Sequence, residues 1–563
     1  MARSECRMSS GGRMARRRTR DRRPLLAGLI AANVLVGLTA LGLWWRKAQP
    51  EPRAASAVPT VTAVAPAATA RVDWDRFRSG TVDPDGRCVG CNVLLISLDI
   101  FRPDRLPCWG GPHETGDTIC SMAENGVVFE DFIVQAYQTP IAQMAMFTGR
   151  YPSRTGFTRF SAQLPADEPS LPEAFAAAGY DTVAMGSSFE VMTDMSKWSK
   201  HGHRFTRDDL NPGLSFGRGF SRFVYTGYRN LPTDALPFLT TRTRGEAPFF
   251  LWLVFGTLHW PYGAAVPADL RDRFDPPDYQ GEFEGLSAPH FPLLSRVYRN
   301  TWYSPAGPVP LSEDDMDWVR ARYDTGLRLV DDFLGQLLAA IPAEQAENTL
   351  VVLHGIHGED LAEHGAFGHY DVYDTEVRQR LIILHPRRAG APAVVDTPVE
   401  GVDLAPTLAD LAGLALPALP AGEVLDGRSL REAVRTGEAD PDRAALSERI
   451  PLWEDIFRHL DNMPVGYVAR IRPLMEGPAV GDFALRTDRW KLIHRRARTL
   501  ESAVSWWTEV TGMPLERPEL ELYDLHEDPL ELNDVAADHP EVVATLRAAL
   551  NARLAGLDLP PEP

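Results

Sequence analysis

Asn92-Val-Leu-Leu-Ile-Ser-Leu-Asp99, continued by Ile100-Phe-Arg102-Pro-Asp104-Arg105-Leu106, is the stretch on which the fold turns. The near-continuous apolar run predicts a strand buried on both faces, as in a parallel sheet covered by helices. Such a strand delivers Asp99 at its C-terminal end, the edge of an open α/β sheet where ligands bind. Outward from it, Leu171–Ala178, Tyr180–Ala184 and Phe249–Phe255 read as alternating helix and strand, and Thr349–Leu353 reads as a further strand. Together these predict an α/β fold with a large, mostly parallel sheet sandwiched by helices. Ser312 and Asp315 stand in capping-box spacing before a helix over 312–340, whose stripe of Leu327, Val330, Leu334, Leu337 and Leu338 is core packing. Residues 263–311 read as a long loop that shapes a pocket rim.

Charge is unevenly spread over the 563 residues, whose net charge is -18. Residues 1–47 hold eleven basic side chains against Glu5 and Asp21, which leaves 47 basic against 74 acidic residues in the remainder, a balance of -27. A body this acidic gives no electrostatic basis for binding nucleic acid. The Arg-rich tail 1–23 precedes an uncharged run, Leu25–Trp45, long enough to span a ~30 Å hydrocarbon core as a helix. With more positive charge before the run than after it, 24–46 is expected to be an uncleaved single-pass anchor with a cytoplasmic N-terminus. Residues 47–86, rich in Pro and Ala at their start, read as a tether. The expected organisation is then a main domain over 87–430 and a C-terminal subdomain over 431–563, held at a bacterial inner membrane and facing the periplasm. In that oxidising compartment Cys88, Cys91, Cys108 and Cys120 are expected in structural disulfides, for which three pairings are open.

Two further groups of residues follow the opening strand. One is Gln138-Thr139-Pro140 with Thr148-Gly149-Arg150-Tyr151-Pro152. The other is His354-Gly355-Ile356-His357-Gly358-Glu359 with Glu363-His364-Gly365 and Gly368-His369. In this order the motifs resemble the sulfatase branch of the alkaline-phosphatase-like superfamily, over about Asn92 to Leu532. The resemblance implies hydrolysis of sulfate or phosphate esters of glycans, lipids or small molecules, assisted by one divalent cation. It places Asp99, Thr139 and His357 on that cation, which is Ca²⁺ in the family; Mn²⁺, Zn²⁺ or an absent ion are alternatives for this chain. Thr139 falls where the family carries the modified cysteine of Cys-x-Pro-x-Arg. A threonine hydroxyl can serve as nucleophile when a neighbour orients and activates it. His259, after strand 249–255, and His369 are expected to assist the leaving group and the transferred oxyanion. Arg150 and Arg102 are expected to match a tetrahedral oxyanion.

The chain departs from the pattern in several places: Pro140 comes one place early, and the Asp-Pro that precedes the family's histidine is missing before His259. Gln143 stands where the motif has arginine, and Ile356 replaces the aspartate that precedes His357. Two alternatives to hydrolysis follow: a phosphoethanolamine-type transferase, with Thr139 as the acceptor, and a catalytically inactive binding protein. From Phe483 onward, short strands and a helix near Pro540–Leu554 predict a small antiparallel sheet.

Overall fold

The computed structural model describes residues 71–557, except 159–161, 193–214, 228–229, 243–244, 287–300, 305–306, 366, 450–480 and 496–517. The chain divides into Met1–Ala65 and Pro66–Pro563. The basic tail, the span expected at 24–46 and most of the tether lie outside the described residues. Among the described residues no helix is long and apolar enough to cross a membrane.

Among the described residues nine strands form the main sheet: β1 (Asn92–Leu98), β2 (Val127–Ile133), β3 (Asp181–Gly186), β4 (Arg222–Tyr225), β5 (Phe249–Phe255), β6 (Thr349–Gly355), β7 (Arg378–Leu384), β8 (Ala393–Val395) and β9 (Val399–Glu400). Their order is β8-β2-β7-β6-β1-β5-β3-β4, and β9 also pairs with β2. All pairings are parallel except those of β7, which runs against β2 and β6. β1 is central, and its side chains enter two different cores. Val93 and Leu95 pack on one face, with helices α1 (Thr139–Thr148) and α3 (Leu404–Leu411). Leu94, Ile96 and Leu98 pack on the other, against α2 (Glu313–Ala340) and its predicted stripe. A strand covered on both faces has no polar side to show, which is why its sequence does not alternate.

Local signals set several boundaries. Ser312 Oγ accepts the Asp315 amide and the Asp315 carboxylate accepts the Ser312 amide, so α2 starts at Glu313. Strand 249–255 lies where it is predicted. The cysteines pair as Cys88–Cys91 and Cys108–Cys120, which resolves the three open pairings. Residues 263–311 include a short ribbon, Thr301–Ser304 with Gly307–Pro310.

A four-stranded antiparallel sheet, β10 (Ala445–Arg449), β11 (Asp482–Arg486), β12 (Trp490–His494) and β13 (Leu520–Asp524), is followed by α4 (Pro540–Leu554). β10 escapes the sequence reading, which starts this sheet near Phe483, because five residues ending in Glu448-Arg449 carry no apolar alternation. Leu446, Phe483, Leu485, Leu492 and Leu522 share a core with Leu546, Leu550 and Leu554 of α4 and with Ala145, Tyr151 and Val402 of the larger part.

Glu448 gives this junction a pH dependence. Its carboxylate is fully buried and accepts both the amide (3.0 Å) and the hydroxyl (2.8 Å) of Ser153. Burial pushes its pKa up to about 7 against those two bonds. Between the ordinary glutamate value of about 4.3 and that value, the folded protein holds a proton that the unfolded chain has released. Stability therefore falls as pH rises through this window, by about 3 kcal/mol from this group. Urea unfolding at pH 5 and pH 7.5 should show a smaller loss for Glu448→Gln than for the unaltered protein.

Candidate active site

The C-terminal ends of β1, β3, β5 and β6 bring separate parts of the chain together. Asp99 leaves β1 with its amide on Phe255 O (2.9 Å), and Ile100 then takes a left-handed φ of +55°. That backbone is costly for a β-branched residue. It is held by Tyr323, whose hydroxyl donates to Ile100 O (2.7 Å), and by Phe101 N–H on His357 O (2.7 Å). Beyond β6, Gly358 passes so close to the next segment that a Cβ would lie 2.0 Å from Thr375 O. Only glycine fits there, and the approach fixes His357 and Glu359 on either side.

Thr139 is the first residue of α1, with Gln138 in the cap position and Pro140 in the first turn. Its hydroxyl is not a helix cap. It lies 2.9 Å from Asp99 Oδ1 and 2.9 Å from His357 Nε2, and those two atoms are 3.4 Å apart. Asp99 Oδ2 accepts from Ser188 Oγ (2.9 Å), just beyond β3. Asp99, Thr139 and His357 are almost fully buried. His357 Nδ1 is 2.8 Å from Gly358 O. A carbonyl only accepts, so Nδ1 carries the proton and Nε2 presents a lone pair to Thr139. Burial, reinforced by His369 and His259, pushes the His357 pKa well below the ordinary imidazole range. The ring is neutral at pH 7.

His369 and His259 join this group. The His369 ring lies 4.6 Å from that of His357 and 5.9 Å from that of His259. His369 Nδ1 is 2.7 Å from Glu359 Oε2, and Glu359 Oε1 accepts from the Tyr262 hydroxyl (2.6 Å). His259 Nδ1 meets Trp260 O at 3.0 Å.

The two arginines are engaged elsewhere. Arg150 lies beyond the far end of α1, between Glu168 (2.5 Å) and Glu423. Arg102 grips Asp104 (2.6 and 2.7 Å), Glu363 (2.8 Å) and the Glu359 carbonyl (2.7 Å). Both are buried with their charge matched by carboxylates, so the geometry gives them a structural place and not the oxyanion contact expected from sequence. His354, on the same strand as the site, closes a buried chain in which Trp252 Nε1 donates to Ser97 Oγ (2.9 Å) and Ser97 donates to His354 Nε2 (2.7 Å). Burial lowers His354 to about 4, as suits a neutral core acceptor.

Sequence reasoning missed Ser188 and Tyr262. Both follow parallel strands at the edge that carries Asp99, and that position is the signal that would have found them. Glu359, the last residue of the quoted His-Gly-Glu segment, holds His369.

The donors also test the divalent ion that the resemblance implies. Calcium takes about six to eight oxygens and favours negative charge. Around Thr139 stand one carboxylate, two hydroxyls and one imidazole, already hydrogen-bonded to one another. Ile356 occupies the aspartate's place, fully buried in the core. Among the described residues no group of three or more His, Cys, Asp or Glu side chains could hold a metal ion. The residues present do not fit the ion.

Comparison with known proteins agrees with the fold. The chain is 23% identical over 393 residues to an ulvan-active sulfatase of Formosa agariphila, covering 65% of this chain and 69% of that protein. It is 22% identical over 517 residues to an N-acetylglucosamine-6-O-sulfatase of Bacteroides thetaiotaomicron, covering 79% and 82%. A phosphonate monoester hydrolase of Agrobacterium radiobacter has the same fold, with a TM-score of 0.59 and 21% identity over 83% of this chain and 96% of that one. Residues 91–414, more than half of the sequence, match the pattern of the sulfatases, and the chain belongs to that family.

Proposed function

We propose that the protein hydrolyses sulfate or phosphate esters with Thr139 as nucleophile and His357 as its base. The observation that carries this reading is the Thr139 hydroxyl held 2.9 Å from both Asp99 and a neutral, Nδ1-protonated His357. In the first step the Thr139 proton, donated to Asp99 Oδ1 at rest, turns to His357 Nε2 at the same distance and passes to it, Oγ1 bonds to sulfur or phosphorus, and the ester oxygen leaves with its electron pair. Asp99, fixed by Ser188, keeps the hydroxyl in line and stabilises the imidazolium that forms. Family membership supports ester hydrolysis, and the names of the two relatives support a sulfated glycan as substrate. The anchor at 24–46 would place this chemistry at the periplasmic face of an inner membrane, where the acidic body meets envelope glycans.

The test is turnover of 4-nitrophenyl sulfate, 4-nitrophenyl phosphate, bis-4-nitrophenyl phosphate and a phenylphosphonate monoester by the full chain. Release of nitrophenol that exceeds the Thr139→Ala background supports the reading. Because the donors do not fit calcium, prolonged EGTA treatment should leave that turnover within about twofold, whereas a catalytic metal is worth several kcal/mol. A second reading, a binding protein without turnover, has the buried Ile356 and the uncharged Gln143 in its favour. Glycan binding unaffected by Thr139→Ala, with no turnover of any ester, would select it.

A further inference from the structure

Glu359 is a buried carboxylate whose hydrogen bonds come from two neutral-capable groups, Tyr262 and His369. The nearby Arg102 guanidinium reaches the Glu359 carbonyl and leaves the carboxylate to them. A carboxylate buried without Lys or Arg is expensive. The Glu359 main chain is itself clamped, with its amide on Thr375 O (3.0 Å) and its carbonyl on Arg102. The side chain is therefore a fixed acceptor between the loop after β5, which carries His259 and Tyr262, and the turn that carries His369.

We infer that Glu359 is a positioning residue that dictates which nitrogen of His369 takes a proton during the second half of the reaction. The inference rests on the nucleophilic role of Thr139 given above. A carboxylate only accepts, so at 2.7 Å it fixes the His369 proton on Nδ1. Any proton that the ring takes up then enters at Nε2. In the second step a water oxygen bonds to the sulfur or phosphorus carried by Thr139, and the bond to Oγ1 breaks. Oγ1 recovers the proton held on His357 Nε2, and the water's proton goes to His369 Nε2, from which solvent removes it. The His369 side chain is 19% exposed, so it can exchange that proton, whereas His357 is closed off. The first step uses His357 and the second uses His369, which divides the labour between a buried base and a wet one.

The experiment is pre-steady-state kinetics of the full chain with bis-4-nitrophenyl phosphate, read together with the intact mass of the enzyme. Glu359→Gln keeps the volume, but its amide nitrogen can donate to Nδ1 and move the ring proton to Nε2. The expected result is a retained first-turnover burst, a steady-state kcat lower by roughly 10²–10⁴-fold, and an accumulated Thr139 adduct. Tyr262→Phe leaves the carboxylate in place and should lower kcat less than tenfold, with the same burst. Glu359→Gln with unchanged steady-state turnover overturns the inference. So does equal loss of burst and turnover in a variant whose thermal unfolding matches the unaltered protein. If the unaltered protein shows no turnover and no adduct, it is the nucleophilic role of Thr139 that fails. If Glu359→Gln unfolds early, the Tyr262→Phe variant decides, and loss of its burst counts against the inference.

Discussion

Thr139→Ala is expected to lower kcat for every ester the protein turns over by on the order of 10⁴-fold or more, without a change in thermal stability of similar weight. The substitution removes the γ-methyl group together with the hydroxyl, and it is the hydroxyl that lies between Asp99 Oδ1 and His357 Nε2 at 2.9 Å from each. Without it no covalent intermediate forms, and the Thr139 adduct should be absent from mass spectra. Thr139→Ser returns the nucleophile without the methyl group that fixes its rotamer, and should recover activity to within about a hundredfold. Equal activity of Thr139→Ala and the unaltered protein would remove Thr139 from the chemistry altogether. The buried Asp99 carboxylate loses a hydrogen bond in the alanine variant but keeps that of Ser188, so a fold-level cost of about 1–2 kcal/mol is expected.

Lys491→Met should have the largest effect on stability. Lys491 is buried in β12, and its Nζ lies 2.7 Å from Asp374 Oδ1 and 2.8 Å from Glu531 Oε1. Arg486 completes the group, reaching Asp374 (3.0 Å) and Asp131 (2.9 Å). Burial by itself would raise the Asp374 pKa; Lys491, Arg486 and Arg378 overcome it and hold the group below the ordinary carboxylate range. Glu531 is pushed up to about 7, chiefly by burial and against the pull of Lys491. Removing the ammonium leaves two neighbouring buried carboxylates, at a cost of about 3–5 kcal/mol in urea unfolding at pH 7.5. In the variant Glu531, already raised by burial and now without the pull of Lys491, binds a proton more readily when folded than when unfolded, so stability should recover as pH falls towards 5. Activity should fall with it. Asp374 opens the turn whose Thr375 and Glu376 carbonyls accept the amides of Glu359 and Gly358, and these flank His357.

This coupling shows what a reading of the chain in order cannot see. Glu448 of β10 bonded to Ser153, and Lys491 paired with Asp374, each join residues more than a hundred positions apart, and nothing in Asp374 or Lys491 taken singly announces the other. The same holds for Arg150 and Arg102. Each stands in a motif where a free guanidinium would suit an oxyanion. Their carboxylate partners, Glu168, Glu423 and Glu363, come from loops whose approach no local pattern encodes. Long-range pairing of charges depends on the packed arrangement of loops, and local propensity carries no information on that.

By itself the sequence determined strands β1, β3, β5 and β6 with the helices packed on them, and so the meeting of Asp99 and His357 at one edge, while Thr139 was joined to them by the resemblance to the sulfatases. Buried parallel strands are written as unbroken apolar runs, and residues at their C-terminal ends must meet at one edge. Only the tertiary structure decided that Asp99 leans on Ser188, that Glu359 turns to His369, and that Ile356 is sealed into the core. Those outcomes depend on where neighbouring side chains leave room and which hydrogen-bonding groups are left unmatched once the chain is packed, and such matching exists only after folding.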